Sequence, residues 1–243
     1  MTWSARFIEG GVALLAGAVV SWAANAHVVI SSDPTQNMSC SAGTCEPTAK
    51  DAVLNVSDLQ NMLVSGNVTV TTTGSGVQAQ NIDVEAPLTW SAPSTLALEA
   101  DSRIAVDREI SVPADGGLSL TKSTEVDAFP FGTKGRIVFQ NLSSPFTING
   151  TAVTLVNNIA SLAGAIAANP SGSYALAGNY DASQDGTYTA SPIQTTFTGN
   201  FDGLGNTISH LSIDHTGSRT GVGLFVTVLE PGVVEHVRSP MST

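Results

Sequence analysis

Short triplets of the form apolar-x-apolar recur between residues 82 and 120, and this repeat constrains the fold more than any other feature. The last three triplets repeat the first three at a spacing of 22 residues. Each triplet places two side chains on one face of a strand and one on the other. One turn of such strands cannot cover its own apolar edge, so the pattern predicts stacked turns, as in a solenoid. The triplets are Ile82-Asp83-Val84, Leu88-Thr89-Trp90, Leu96-Ala97-Leu98, Ile104-Ala105-Val106, Ile110-Ser111-Val112 and Leu118-Ser119-Leu120.

Three triplets per turn predict an all-β fold, a right-handed parallel β-helix with three faces, a rung of about 22 residues and short capping helices. A third set of triplets begins at Ile137, Phe146 and Val153. Ile137 follows Ile104 by 33 residues, which we interpret as one rung plus an insertion of 11 residues. The alternative is an ordinary β-sandwich of antiparallel hairpins.

The charge of the chain argues against a nucleic-acid partner. Its 243 residues carry a net charge of -11, and they lack the basic stripe that neutralises phosphates. Charged residues make up only 12% of the chain, and Thr, Ser, Asn and Gly fill the outward positions of the strands. This composition is typical of a secreted β-solenoid rather than a cytosolic enzyme.

The N-terminus has the features of a signal peptide over residues 1–26. Arg6 supplies a positive charge, residues 11–20 form an apolar stretch too short to span a bilayer, and Ala24-Asn25-Ala26 is a small-x-small cleavage site. The alternative is a buried core helix. We therefore expect an exported protein at the cell surface or outside the cell.

Residues 27–66 are predicted to cap the first rung. Cys40 and Cys45 are close in sequence, and in an exported chain such a pair favours a disulfide over a metal site. Ser57 and Gln60 have the spacing of a helix capping box, and Gly66 ends the helix that they open. An alternating strand over 67–73 follows.

The rungs are assigned to residues 67–156, and a second β-rich unit to residues 157–243. Leu155, Ile159, Leu162 and Ile166 have helical spacing, and Asn169-Pro170 ends that run. Strand character resumes at Tyr174-Ala175-Leu176.

The most specific local motif lies near the C-terminus. It comprises Phe201-Asp202-Gly203-Leu204-Gly205-Asn206-Thr207-Ile208, followed by Gly223-Leu224-Phe225. Asp202-Gly203 and Gly205-Asn206 suit the positive-φ corners of a tight turn, and Phe201, Ile208, Leu211 and Ile213 are expected to point inward. Residues 233–237 have the pattern of a further rung that is cut short.

On these residues the chain resembles bacterial filamentous-haemagglutinin and autotransporter-passenger surface proteins, whose C-terminal region carries the so-called GLUG repeat. Val226 stands where the family pattern usually has a glycine, and the repeat occurs once here. The resemblance implies an adhesin-like protein that binds without catalysis. Its implied partners are a glycan or protein of a host or neighbouring cell, an outer-membrane secretion partner, and further repeats from a missing C-terminal part of the same chain.

Catalytic and metal sites are weakly indicated. Carboxylates one 22-residue rung apart would face one another, but Asp83 matches Ala105 and Glu99 matches Thr121, so no acidic ladder is predicted. Asp202 is interpreted as a turn residue rather than a catalyst. His210, His215 and His236 have no metal-ligand spacing, and a copper site at His27 would require a second histidine opposite it. We predict no enzyme, no cofactor and no metal.

Residues 121–136 form an insertion that could present Phe129 and Phe131 as a contact loop, and the alternative is that both rings fold back onto the stack.

Two further functions remain open. One is a carbohydrate-active, pectate-lyase-like β-helix protein, and the other is a purely structural spacer.

Overall fold

The computed structural model describes residues 26–74, 77–122, 129–214 and 222–239. The predicted signal peptide, apart from Ala26, lies outside these ranges, as does His215. The helices are α1 (Val56–Ser65) and α2 (Ile159–Ala168), with a short 3-10 helix at Ala182–Gln184. The strands are β1 (His27–Ser31), β2 (Met38–Ser41), β3 (Thr44–Pro47), β4 (Ala52–Asn55), β5 (Val68–Thr71), β6 (Thr73–Gly74), β7 (Val77–Gln78), β8 (Asn81–Val84), β9 (Leu88–Thr89), β10 (Thr95–Glu99), β11 (Arg103–Val106), β12 (Glu109–Val112), β13 (Gly117–Thr121), β14 (Arg136–Phe139), β15 (Phe146–Ile148), β16 (Thr151–Ala152), β17 (Thr154–Val156), β18 (Ser173–Leu176), β19 (Tyr180–Asp181), β20 (Thr187–Tyr188), β21 (Asn200–Asp202), β22 (Ile208–Ser209), β23 (Ser212–Ile213) and β24 (Val233–Glu235).

The chain is mostly β, as predicted, and its main sheets are parallel. The strand orders are β11-β8-β1-β4, β16-β15-β13-β10-β5-β3-β2, β14-β12-β9 and β17-β18-β21-β24. The pairs β19-β22 and β20-β23 are also parallel. Among the described strands, antiparallel pairing is confined to the hairpins β2-β3, β6-β7 and β15-β16. Parallel neighbours require long connections, so this pattern excludes the antiparallel sandwich.

The predicted 22-residue period is confirmed in three parallel sheets. Ile82 pairs with Ile104, Leu88 with Ile110, and Leu96 with Leu118. The apolar residues that open these triplets are buried, with at most 1% of their surface exposed. Burial of these side chains in register makes the triplet repeat the main source of hydrophobic stabilisation in this part of the chain.

The predicted register of the third set is wrong. Ile137 pairs with Ile110 rather than stacking on Ile104, and Phe146 pairs with Leu118. Phe131 takes the position beside Val106 through an isolated parallel bridge. The partner of β11 is therefore a segment that contains Pro130 and has no triplet. Because the triplet count does not include this segment, it assigns Ile137 to β11 instead of β12.

Both predicted helices form, but the first begins differently from the prediction. Asn55, not Ser57, is the N-cap of α1, and its side chain accepts hydrogen bonds from the backbone N–H groups of Ser57 and Asp58. Gly66 follows the last helical residue, as expected. Helix α2 has a capping box formed by Asn158 and Ser161.

Cys40 and Cys45 form a disulfide across the β2-β3 hairpin. Strand β3 pairs with β5 at the edge of the seven-stranded sheet, and Cys45 is fully buried. The hairpin therefore lies at the start of this sheet, and its Cys45 sulfur contacts Met62 of α1.

The apolar core falls into two clusters that meet near residue 155. The first includes Leu155 and the triplet residues, and the second includes Val156, the buried face of α2 and Phe201. Asn206 links β14, whose Ile137 belongs to the first cluster, to β18, whose Leu176 belongs to the second. Its Nδ2 donates hydrogen bonds to the carbonyls of Ile137 (2.8 Å) and Leu176 (3.1 Å). Its side chain is fully buried, which makes these bonds part of the core rather than the surface.

Candidate functional site

The strongest candidate site is formed by Asp202, Glu235 and His236. Strand β21 ends at Asp202 and strand β24 ends at Glu235, and the register of the sheet places these two residues side by side. His236 follows Glu235 with a positive φ of 53°. One ligand atom from each side chain lies within 4.8 Å of the other two.

Asp202 is the buried member of this cluster, with only 5% of its surface exposed. Its Oδ1 accepts hydrogen bonds from the Leu204 backbone N–H (2.7 Å) and from Nδ1 of His236 (3.1 Å). Its Oδ2 is buried without a hydrogen-bond partner among the described residues. An unpaired buried carboxylate oxygen is costly, and a bound water, ligand or cation at this atom would compensate for its lost hydration.

The ionisation of His236 depends on these neighbours. Burial lowers the pKa of His236, but the hydrogen bond to Asp202 and the charges of Asp202 and Glu235 outweigh it, so the net shift of the pKa is upward. The ring of Phe131 packs against the imidazole with a centroid distance of 5.0 Å. Both interactions hold the histidine in a fixed position.

A cavity of about 340 Å³ opens beside the two acids. Its wall includes Asp202, Glu235, Asn149, Asn200 and Lys122. The ammonium group of Lys122 lies 4.1 Å from the centroid of the Phe129 ring, which holds it by a cation–π contact. Two carboxylates and an ammonium group therefore line one opening, and the imidazole of His236 contacts the buried one of these carboxylates.

A second polar cluster lies on the outer surface around β19 and β20. Asp185 accepts hydrogen bonds from the hydroxyls of Tyr180 and Tyr188, the latter at 2.8 Å. Nearby, Nδ1 of His210 lies 2.8 Å from Oδ1 of Asp181. Both acids and His210 are exposed, and both tyrosines are half-buried. Two aromatic rings are thus held in place by one carboxylate at an accessible surface.

These hydrogen bonds give the two tyrosines an unusual titration. The hydrogen bond to Asp185, with burial and nearby acidic charges, raises the pKa of Tyr180 to about 12. Burial, followed by the bond to Asp185, raises the pKa of Tyr188 to about 12. Because both values exceed the ordinary pKa of 10.0, the stability from these phenols is complete below pH 10 and is lost as pH rises towards 12.

We expect D185N to lower the pKa of both tyrosines. The effect should be larger for Tyr180, because the hydrogen bond to Asp185 is the largest cause of its raised pKa. An ultraviolet absorbance titration of tyrosinate measures this shift. D115N is the control, because it removes an exposed carboxylate in the loop before β13, and it should leave the titration unchanged. A D185N titration that matches the wild type would show that Asp185 does not set these values.

The predicted contact loop is not exposed. Phe129 is 2% exposed and belongs to the first core cluster, and Phe131 is half-buried against His236. The described part of the insertion therefore has the alternative arrangement, in which both rings fold back onto the stack.

The turn motif is present, but its corner differs from the prediction. Positive φ occurs at Gly205 (72°), within the predicted Gly205-Asn206 corner, and at Leu204 (51°), but at neither residue of Asp202-Gly203. Gly203 is needed for space, because a Cβ there would lie 2.5 Å from the His236 carbonyl oxygen. Phe201 is fully buried, and its ring centroid lies 6.0 Å from that of Phe225. Gly223 and Leu224 lead into this aromatic contact and are half-buried.

His27 lies on the outward side of β1, where its Nδ1 contacts Oδ2 of Asp83. Arg103 extends the group at 4.0 Å from Oδ1 of Asp83. No second histidine faces His27 among the described residues, so the contacts found there do not form the copper arrangement considered from the sequence.

Two acids are paired in the C-terminal strands at a spacing that the prediction for 22-residue neighbours did not cover. Asp83 and Glu99 pair with Ala105 and Thr121, as expected, but Asp202 pairs with Glu235 at a separation of 33 residues. The 22-residue period does not hold in this part of the chain. The strand pattern at 233–235 was the available signal, since matching it to β21 would have paired the two acids.

No described helix has the length and apolar character needed to cross a bilayer. Comparison of the chain with protein-family models, with curated proteins and with solved structures gives no match.

Proposed function

We propose that the parallel ladders coil into a right-handed β-helix with three faces. The 22-residue register on three sheets supports this arrangement. Connections between parallel strands of one sheet are right-handed in about 98% of cases. An experimental structure with left-handed connections would contradict this part of the proposal.

We propose that the protein is an exported, adhesin-like surface protein that binds a glycan without catalysis. The observation that carries this proposal is the surface cluster of the exposed Asp185 and the half-buried Tyr180 and Tyr188. Aromatic rings offer flat apolar faces to sugar rings, and the free lone pairs of an exposed carboxylate accept hydrogen bonds from sugar hydroxyls. Because Asp185 already fixes both hydroxyls, little side-chain entropy would be lost on binding.

Binding of labelled cell-surface polysaccharides to the immobilised full chain tests this function. We expect the double substitution Y180A/Y188A to reduce binding by about tenfold or more, because each ring would contribute on the order of 1 kcal/mol. V64A is the control, since Val64 is 59% exposed on α1, and this helix packs on β4, β5 and β9. Equal binding by Y180A/Y188A and wild type would exclude this surface, and loss of binding in V64A would indicate a general effect.

A carbohydrate-active, lyase-like protein is the second candidate. The observation in its favour is the pair of stacked acids, Asp202 and Glu235, on the same cavity as Lys122. Release of shortened chains from an acidic polysaccharide, lost in E235Q, would favour this function over binding alone. A purely structural spacer would show neither binding nor turnover.

We also propose that further GLUG-type repeats of the same protein stack on β24. This strand pairs with β21 on one side, and Val233 and Val234 are 43% and 40% exposed. A row of exposed valines with unpaired backbone groups is a surface on which another strand adds readily. Sequencing the gene beyond the codon for Thr243 tests this proposal, because an unrelated continuation would contradict it.

A further inference from the structure

We propose that Asp202, Glu235 and His236 form a binding site for a divalent transition-metal ion of the zinc class. The proposal is separate from the glycan surface, which lies around Asp185. It follows from three observations: the mutual reach of three ligand atoms, the buried unpaired oxygen of Asp202, and the open side of the cluster towards the cavity.

Geometry brings these three ligands together before any ion is present. The ladder between β21 and β24 fixes Asp202 beside Glu235. The positive φ at His236 turns the chain directly after the strand, and Phe131 packs against the imidazole ring. A cation bound at such a site does not have to order flexible side chains at each position, which lowers the entropic cost of binding.

The unpaired side-chain oxygen of Asp202 favours a bound cation at this site. Its Oδ1 already accepts two hydrogen bonds, whereas Oδ2 is buried without a partner among the described residues. A metal ion would satisfy Oδ2 and balance the charges of Asp202 and Glu235. Lys122 lines the same cavity. Its ammonium group lies over the Phe129 ring and makes a cation–π contact there.

The donor set selects the class of ion. Two carboxylate oxygens and one imidazole nitrogen suit Zn²⁺, which accepts nitrogen and oxygen ligands in a site of four. Calcium prefers six to eight oxygen ligands, so an imidazole nitrogen is a poor ligand for it. Three protein ligands leave one position of a tetrahedral Zn²⁺ site open towards the cavity for water or an anionic group.

Isothermal titration of the untagged full chain with Zn²⁺ tests the site. We expect saturable binding, which E235Q weakens by about tenfold or more. Glu235 is exposed, and glutamine preserves the size and shape of its side chain, so this variant should fold normally. D101N is the matched control, because it removes an exposed carboxylate elsewhere in the chain and should leave the affinity unchanged.

A second variant tests the nitrogen ligand. Asparagine tolerates positive φ better than most residues, so H236N should keep the turn while removing the imidazole. With Co²⁺ as a spectroscopic probe, we expect the visible absorption of the bound ion to weaken or shift in H236N. Absence of saturable Zn²⁺ binding to the wild type would overturn the proposal. Wild-type affinity in both E235Q and H236N, or Ca²⁺ binding in preference to Zn²⁺, would also overturn it.

Discussion

Replacing Gly135 by alanine is expected to destabilise the protein by about 3 kcal/mol or more. A Cβ at this position would overlap the carbonyl oxygen of Val106. That carbonyl belongs to β11 and already accepts a hydrogen bond from the Gly132 N–H at 2.9 Å. Neither backbone segment can move without disturbing the ladder, so the strain cannot be relieved by a side-chain rotation.

Urea-induced unfolding followed by circular dichroism measures this loss. G164A is the matched control, because Gly164 lies on an exposed side of α2 and a Cβ added there would have no neighbouring atom within 4 Å. Alanine is a better helix former than glycine, so we expect G164A to raise stability by about 0.5–1 kcal/mol. Equal unfolding midpoints for G135A and wild type would show that the turn before β14 has more room than its contacts indicate.

Replacing Asn206 by alanine is expected to cost about 2–4 kcal/mol. The substitution removes the donor for the carbonyls of Ile137 and Leu176 and leaves both acceptors buried. Each unsatisfied buried group costs on the order of 1–3 kcal/mol. The isosteric N206D would place a carboxylate against the same two carbonyls, so at neutral pH we expect a loss at least as large.

The control for this prediction is N200A. Asn200 is exposed at the start of β21, and its replacement should change stability by less than about 0.5 kcal/mol. The same urea experiment applies to all three variants. If N206A unfolded at the wild-type urea concentration, the amide would contribute nothing to the junction between the two core clusters.

The triplet repeat was sufficient to predict the parallel sheets and their register between residues 82 and 120. It succeeded because a buried strand in a parallel stack requires apolar side chains at every second position, and this pattern is visible in sequence. It failed at Ile137, because Phe131 pairs with Val106 of β11 although no triplet surrounds it. Strand pairing depends on contacts between residues that are distant in sequence. The spacing of apolar residues within one segment does not specify these contacts.

The candidate site was harder to predict than the fold. Asp202 was recognised as a turn residue, and its hydrogen bond to the Leu204 N–H agrees with that role. Its neighbour Glu235 was missed, since the two acids are related by a 33-residue register rather than the 22-residue period. The N-cap at Asn55 was missed for a simpler reason: Asn and Ser both suit that position, and sequence alone favoured the later residue.

The unequal register of the ladders limits what a single repeat length can describe. Paired residues are separated by 22 positions between β10 and β13, 28 between β13 and β15, and 33 between β21 and β24. The loops absorb these differences while a few inward positions per turn are held to apolar residues. A change in loop length therefore alters the spacing of paired residues without altering the pairing itself. A search for one fixed repeat length would miss the strands paired at 28 and 33 positions, although they form the same kind of parallel ladder.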